Sequence, residues 1–459
     1  MNILITLLVI VLVAYGMLKQ YNPQAVLITA GIVFFTTSYY YLGLPPIPVE
    51  KSNGFLIFDI WDRFSDITNN RLASIGLTLV SIAGVSRYLN KIGASSSLIK
   101  VTANVILKIS NPYILLFVSL IVVSILYIFI TGATSLSLLL MATIYPILRN
   151  AGISAKTMAA TIIIPTSWEY GPGQINAVVG AEAINLDVIT YVINHQTPLQ
   201  IILVLLIAVI NVMYQKYMDK KDNFSYLDEK GKFLDTLEEN QAEKEESPKY
   251  YALFPLIPFV LLILFSGMFI DNFTISIPVA MMTTIMVCMI IEMIRFRSVK
   301  KSFSHFQAWL EGTGMIFATV ITLMIAAEFF AKGLESVGAI SSLLASAEQF
   351  ALPPVLLAMV FCLFILLTAF ITGSGNAPVL AFISLVPTMS AQFAINPLLI
   401  LVPILIAAGV GRTMSPVAGV VITVAGMAKL SPFDIIKRTS VPAITSLIIT
   451  LVYSFIRYS

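Results

Sequence analysis

The sequence predicts an all-α polytopic membrane protein made of two inverted-topology repeats of five spans, each with a re-entrant hairpin and a broken helix. Three observations carry that reading. First, 58% of the residues are hydrophobic and only 11% are charged, with mean hydropathy +0.92, whereas a soluble chain carries about a quarter charged residues. Second, a polar, Gly-containing segment occurs twice: ITGATSLSLLLMATIYP from Ile130 to Pro146 and ITGSGNAPVLAFISLVP from Ile371 to Pro387. A fainter echo joins Ile92-Gly93-Ala94-Ser95-Ser96-Ser97-Leu98 to Val337-Gly338-Ala339-Ile340-Ser341-Ser342-Leu343. Third, the basic residues are lopsided. If both hairpins dip in and return, only Lys51, Arg63, Arg71, Lys332 and Arg457 fall on the face away from the central linker, and Arg412 lies within the membrane. That matches the positive-inside rule, with a cytoplasmic linker and both termini periplasmic. Full crossings would scatter the charges over both faces.

Apolar runs of about 20 residues, each enough for a ~30 Å hydrocarbon core, set the elements in order. Spans are expected at 2–18, 24–43 and 71–88, and an amphipathic surface helix at 95–108 carries Lys100 and Lys108. The segment from Asn2 to Leu18 lacks a basic start and an Ala-x-Ala site, so it reads as a retained span. A hairpin follows at 112–150 with its tip at Thr131–Ser135. Next comes a span at 155–184, broken by the stretch from Pro165 to Gly173, and then a span at 197–215. The second half repeats the plan. It has spans at 251–270, 275–295 and 312–331, a hairpin at 352–390 with its tip at Thr372–Pro378, a span at 397–428 broken at Gly411–Pro416, and a last span at 438–457. The first repeat thus covers 1–215 and the second 251–459. Between them, residues 216–249 hold seven Lys against ten Asp and Glu, the composition of a solvated linker (216–250) rather than a folded module.

The breaks are where chemistry is expected. Irregular backbone at membrane depth survives only where protein or a water-lined cavity satisfies its N–H and C=O groups. Paired interruptions in two repeats point to a substrate site between them. In the second hairpin, Thr372, Gly373, Ser374, Gly375 and Asn376 combine tight-turning glycines with side-chain donors, and Pro378 suits the first turn of a new helix. Thr131, Gly132, Thr134, Ser135 and Ser137 are the counterpart. Helix N-termini there offer N–H groups and a positive dipole end to an anion. In the broken spans, Thr166, Ser167 and Glu169 face the equivalent Arg412, Thr413 and Ser415. An intramembrane Arg costs at least ~2.5 kcal/mol to insert and is expected to be paired or functional. Its planar fork matches a carboxylate, which is the preferred reading, and a structural pair with Glu169 is the alternative. Glu169 itself suits a cation or proton site, a partner for a substrate amine, or a neutraliser of Arg412. Glu328 and Lys332, four apart on one helix, are expected to pair with each other.

Other chemistries find no support. Cys288 and Cys362 are isolated in apolar segments, and His195 and His305 have no ligand spacing, so no metal or cofactor site is readable. No nucleophile–base set for an enzyme, phosphate loop or nucleic-acid face is present, and broken-helix repeats fit alternating access better than a passive channel.

The strings TGSGNAP at 372–378, GRTMSPVAGVV at 411–421, AGMAKLSPF at 425–433 and KRTSVP at 437–442 resemble the anaerobic C4-dicarboxylate carriers of the Dcu C type. YNPQAVL near the N-terminus, RYLNKIGAS at 87–95, SLLLMATIYP at 137–146 and MDKKD at the start of the linker extend the likeness over essentially the whole chain. The resemblance implies the ion-transporter superfamily, with inverted repeats and a dimeric elevator mechanism. It also implies a homodimer in the bacterial inner membrane that exchanges or exports succinate, fumarate, malate or aspartate; no cofactor is expected, and H+ and Na+ are the candidate coupling ions, between which the sequence does not choose. The two hairpins and broken spans (112–184 and 352–428) would move as a transport domain against scaffold spans 1–90 and 251–331. One departure is PTSWEYGPG, because the family's first break often lacks an acidic residue. Glu169 therefore opens the specificity to amino-bearing acids. The rival readings are a cation/proton antiporter using Glu169 and Glu328, or a carrier for another carboxylate-bearing metabolite.

Overall fold

The computed structural model describes residues 8–9, 11–13, 15–16, 19, 21–106, 109, 111–224, 247–265, 274–338 and 353–459. Most of the expected first span, the centre of the linker, residues 266–270 of the span at 251–270 and the echo from Ala339 onward lie outside these residues.

Local sequence rules set the helix starts. Asn22 and Asn111 cap helices whose next residue is proline, α1 (Pro23–Leu42) and α4 (Pro112–Phe129); each Asn side chain accepts from N–H groups of the first turn. Proline at the first helical position gives up an N–H that has no partner there in any case. Between them lie α2 (Leu56–Lys91) and α3 (Ala94–Ile106). After α4 come α5 (Ala133–Asn150), α6 (Ala155–Ile163), α7 (Ile175–Ala183) and α8 (Val188–Lys221). The second half supplies α9 (Lys249–Leu264), α10 (Ile277–Phe296), α11 (Val299–Ser336) and α12 (Pro354–Thr372). It ends with α13 (Asn376–Phe382), α14 (Leu385–Gln392), α15 (Leu398–Thr413), α16 (Gly419–Ala428) and α17 (Pro432–Tyr458). Among the described residues, seven helices are long and apolar enough to cross a membrane.

The expected spans at 71–88, 197–215 and 312–331 are the apolar parts of longer helices. Helix α2 starts at Leu56, and its first turns carry Asp59, Asp62, Arg63 and Asp66, charges that hid it from a hydropathy reading. Asp59 is nevertheless buried, because it accepts from the Ser52 hydroxyl at 2.5 Å and the Asn53 N–H at 3.0 Å. Both α2 and α11 widen into one π-turn, at Leu72–Gly76 and Phe317–Ile321, and the two π-turns touch each other. Such bulges insert one residue into the hydrogen-bond ladder and recur at functional positions.

The halves pair reciprocally: α1 packs on α11 and α10 packs on α2. Small residues let the backbones approach, as expected where lipid supplies no hydrophobic drive. A Cβ on Gly312 would sit 2.7 Å from the Ala83 carbonyl oxygen, and one on Gly84 would sit 2.5 Å from Trp309 Nε1. Elsewhere α4 packs on α8, α15 on both α12 and α17, and α6 on α17. A separate apolar core holds the first hairpin to α6 and α16 through Leu136, Leu140, Ile162, Val421 and Val424.

Candidate functional site

The first break forms where the sequence places it, whereas the second begins only after Thr413, so Gly411, Arg412 and Thr413 of the expected break are the last turn of α15. Helix α6 tightens into a 3-10 turn at Ile164–Ser167, since Pro165 cannot continue the ladder, and the chain is irregular until Ile175. Glu169 sits there at φ 41°, a left-handed conformation costly to a residue with a Cβ. Non-glycine strain of this kind clusters at functional sites. In the second half α15 ends at Thr413 and α16 begins at Gly419. At the hairpin tips the chain reverses through Gly132 (φ 95°) and Gly373 (φ 69°), both positive and suited to glycine.

The four irregular segments meet. The Arg412 guanidinium donates through Nη1 to Glu169 Oε1 at 2.5 Å and through Nη2 to the Thr166 carbonyl oxygen. The Tyr127 phenol of α4 is a further neighbour of that guanidinium. From the second hairpin, a Cβ on Gly375 would lie 3.0 Å from Arg412 Nη1 and 3.4 Å from Glu169 Oε1. The Gly375 carbonyl accepts from Asn176 Nδ2 at 3.4 Å, which ties this tip to the start of α7. The first tip is held from both sides. A Cβ on Gly173 would sit 3.0 Å from the Thr131 methyl, and one on Gly419 would sit 3.4 Å from Thr134 Oγ1. Gln174 Nε2 donates to the Tyr127 carbonyl at 2.8 Å and so fixes the first break to α4. Each tip thus touches the broken helices of both halves, and α5 packs on α16 as α13 packs on α7.

The site's chemistry is two-sided. Helices α5, α7 and α16 all begin here with no side chain capping their N–H groups, which directs partial positive charge inward. Glu169 Oε2, Asn176 Oδ1, Arg412 Nε and Trp168 Nε1 are buried with no hydrogen-bond partner in the protein. Each such atom costs about 1–3 kcal/mol unless a ligand or water satisfies it. The free Arg412 donor with the Glu169 and Asn176 acceptors, beside an ion pair, can recognise a small, charged, hydrogen-bonding solute.

Not every expected residue offers its side chain to that space. Thr413 is fully buried and its hydroxyl donates back to Val410. The Thr166 and Ser167 hydroxyls donate to Ile163 and Ile164 of their own turn. Ser415, Thr372 and Ser374 use their oxygens to accept from Val417, Ser374 and Ala377 N–H groups and so shape the turns. Thr134 and Ser135 are exposed at the first tip, and Thr131 and Asn376 are half-buried. Trp168, Asn176, Gln174 and Tyr127 were missed by the sequence reading. The signal for Gln174 and Asn176 was their position in the first turn after the break. Tyr127 gave none, being one aromatic in an apolar run.

One expected pair is corrected. Glu328 pairs with Arg71, not with Lys332, and Lys332 turns to Glu335 at 2.9 Å. Arg71 stands beside the π-turn of α2 and reaches across to α11. Arg71 Nη1 also lies 3.6 Å from Glu182 of α7. A cavity of about 460 Å³ adjoins Glu182, bounded by Ser74, Thr78, Asp187 and Ser276. Among the described residues, no group of three His, Cys, Asp or Glu side chains could hold a metal ion.

A helical membrane protein with two broken helices closed by two hairpin tips has the build of a transporter, and comparison with known proteins agrees. Residues 1–459 match the family described as DcuC, C4-dicarboxylate anaerobic carrier, and the chain belongs to that family. It is a multi-pass membrane transporter and not an enzyme. It is 32% identical over 456 residues to the anaerobic C4-dicarboxylate transporter DcuC of Escherichia coli K12, covering 98% of this chain and 95% of that one. The probable transporter of the same name from Vibrio cholerae is 32% identical over 455 residues, 98% of this chain and 97% of that one. Among solved structures, the fold resembles Neisseria gonorrhoeae MtrF, described within a class of antimetabolite efflux pumps, with TM-score 0.61, 13% identity and 95% of both chains covered. It also resembles the Alcanivorax borkumensis YdaH transporter, with TM-score 0.57, 14% identity, and 95% of this chain and 98% of that one covered.

Proposed function

We propose that the chain is a secondary carrier of C4-dicarboxylates such as succinate, fumarate, malate or aspartate, working by exchange or efflux across the bacterial inner membrane. One observation carries the reading. Arg412, the guanidinium at the meeting point of both breaks, lies against the second hairpin tip and among uncapped helix N-termini. A dianion spanning the two tips would find Arg412 at one end and the N–H groups of α5 and α16, with Thr131, Thr134 and Ser135, at the other.

The rest of the mechanism follows from this arrangement. Tips that end at the midpoints of broken helices support re-entrant hairpins and inverted repeats. The helices carrying the site would move as a body against α1, α2, α10 and α11 in an elevator motion. Those four would also supply the homodimer contact, with the linker cytoplasmic and both termini periplasmic. A cation/proton antiporter is less favoured, since Glu169 and Glu328 each already hold a guanidinium. Proteoliposomes loaded with radiolabelled succinate should release it when fumarate is added outside. No flux of any C4-dicarboxylate from well-reconstituted protein would overturn the proposal.

A further inference from the structure

The Arg412 fork is already engaged. Nη1 donates one of its N–H groups to Glu169 and Nη2 one to the Thr166 carbonyl, and Nε has no partner in the protein. Glu169 is 4% exposed, and its second oxygen, Oε2, has no donor. The charged or titratable groups facing this carboxylate are Arg412 from α15 and Tyr127 from α4. The second tip meets the carboxylate at Gly375, whose carbonyl is held by Asn176 of α7. Among the described residues, Arg412 is the cation that pairs with Glu169.

A substrate carboxylate that takes the Nη1 edge of the fork, the edge that faces the second tip at Gly375, displaces Glu169 Oε1. A buried carboxylate that loses its cation in low dielectric is strongly disfavoured as an anion and is held better as the neutral acid. We propose that substrate binding displaces Glu169 from Arg412 and that Glu169 then takes up one proton from solvent, so that substrate and proton load together. This rests on the carboxylate-carrier reading above. The balance is simple: one proton bonds to the Glu169 carboxylate, no bond in the substrate changes, and the proton leaves when substrate leaves and Glu169 recovers Arg412. Glu169, whose backbone is strained at φ 41°, meets both Arg412 and the second tip. An ammonium-bearing substrate such as aspartate would offer Glu169 a replacement cation and would lower the uptake.

The test is proton uptake by purified full-length protein in weak buffer with a pH indicator, on addition of succinate above about pH 7, where both its carboxyls are ionised. Wild type should take up about one proton per succinate bound, and its apparent Kd should weaken as pH rises, by up to about tenfold per pH unit for one proton taken up. Glu169→Gln should take up none and bind with a flat pH profile, while Glu169→Asp restores both behaviours. Succinate binding without proton uptake in wild type, or uptake persisting in Glu169→Gln, overturns the proposal and leaves the carrier reading intact. Wild type that binds no C4-dicarboxylate removes the carrier reading and this proposal with it. If Glu169→Gln does not fold, the wild-type stoichiometry and pH profile decide alone.

Discussion

Gly375 sits against Arg412 so closely that a Cβ there would lie 3.0 Å from the guanidinium nitrogen. Since Arg412 is pinned by Glu169 and Thr166, it has little room to retreat. Gly375→Val should therefore push the second tip off the ion pair. Succinate-induced thermal stabilisation should vanish, while the helical circular dichroism of the purified protein remains. Unchanged ligand stabilisation would show that the tip does not close the site.

A second prediction concerns the buried network joining α6, α8 and α17. Arg438, 1% exposed, donates to Asp219 and Asp222 at 2.7 Å each, and Lys156 bridges Asp222 and Asp434 at 3.3 Å. Arg438→Ala removes the buried guanidinium shared by Asp219 and Asp222 and should cost about 3–5 kcal/mol, read as a fall in Tm in detergent. Replacing Arg438 and Asp219 together by apolar residues should recover most of that loss.

The same network carries a pH dependence. The hydrogen bond from Arg438 holds Asp222 below its ordinary value of 3.8, aided by Lys156 and opposed by burial. A depressed carboxylate contributes stability that is fully present above its unfolded value and lost as pH falls through the folded one. Tm should hold above about pH 5 and drop below about pH 4. Asp222→Asn should flatten part of that drop, and an unchanged acid limb would count against the assignment.

Glu328 and Lys332 are separable by mutation. Lys332→Ala removes only an exposed bond to Glu335 and should shift stability by no more than about 0.5 kcal/mol. Glu328→Gln removes the partner that Arg71 holds between α2, α11 and α7, and should cost clearly more in the same thermal melt. Equal effects would restore the same-helix pair.

Gly312→Leu should break the crossing of α2 and α11, because even a Cβ there meets the Ala83 backbone oxygen at 2.7 Å. Backbone cannot step aside as a flexible side chain can, so a loss above about 2 kcal/mol or failure to fold is expected. Gly314, whose added Cβ would meet nothing within 4 Å, is the matched control.

What the sequence made legible were interruptions and their recurrence. Pro165, Gly373 and the Thr-Gly motifs disturb helices locally, and local chemistry is what a sequence displays. The partners of long-range charges were hidden: nothing near Glu328 announces Arg71, 257 positions away. The first turns of α2 were hidden too, since Asp59 is satisfied by Ser52 and Asn53 through a turn that hydropathy cannot see. The hydroxyls of Thr413 and Thr166 looked like ligand donors but bond inside their own helices, a choice set by rotamer and not by residue type.

The exchange of tips between halves has a consequence for assembly. With α5 resting on α16 and α13 on α7, neither half of the polypeptide encloses a cradle by itself, and each lends its partner the missing jaw. A chain severed between Asn223 and Ser247 would still contain every contact of that embrace, whereas a lone half, however well inserted, would be a grip with nothing to close upon.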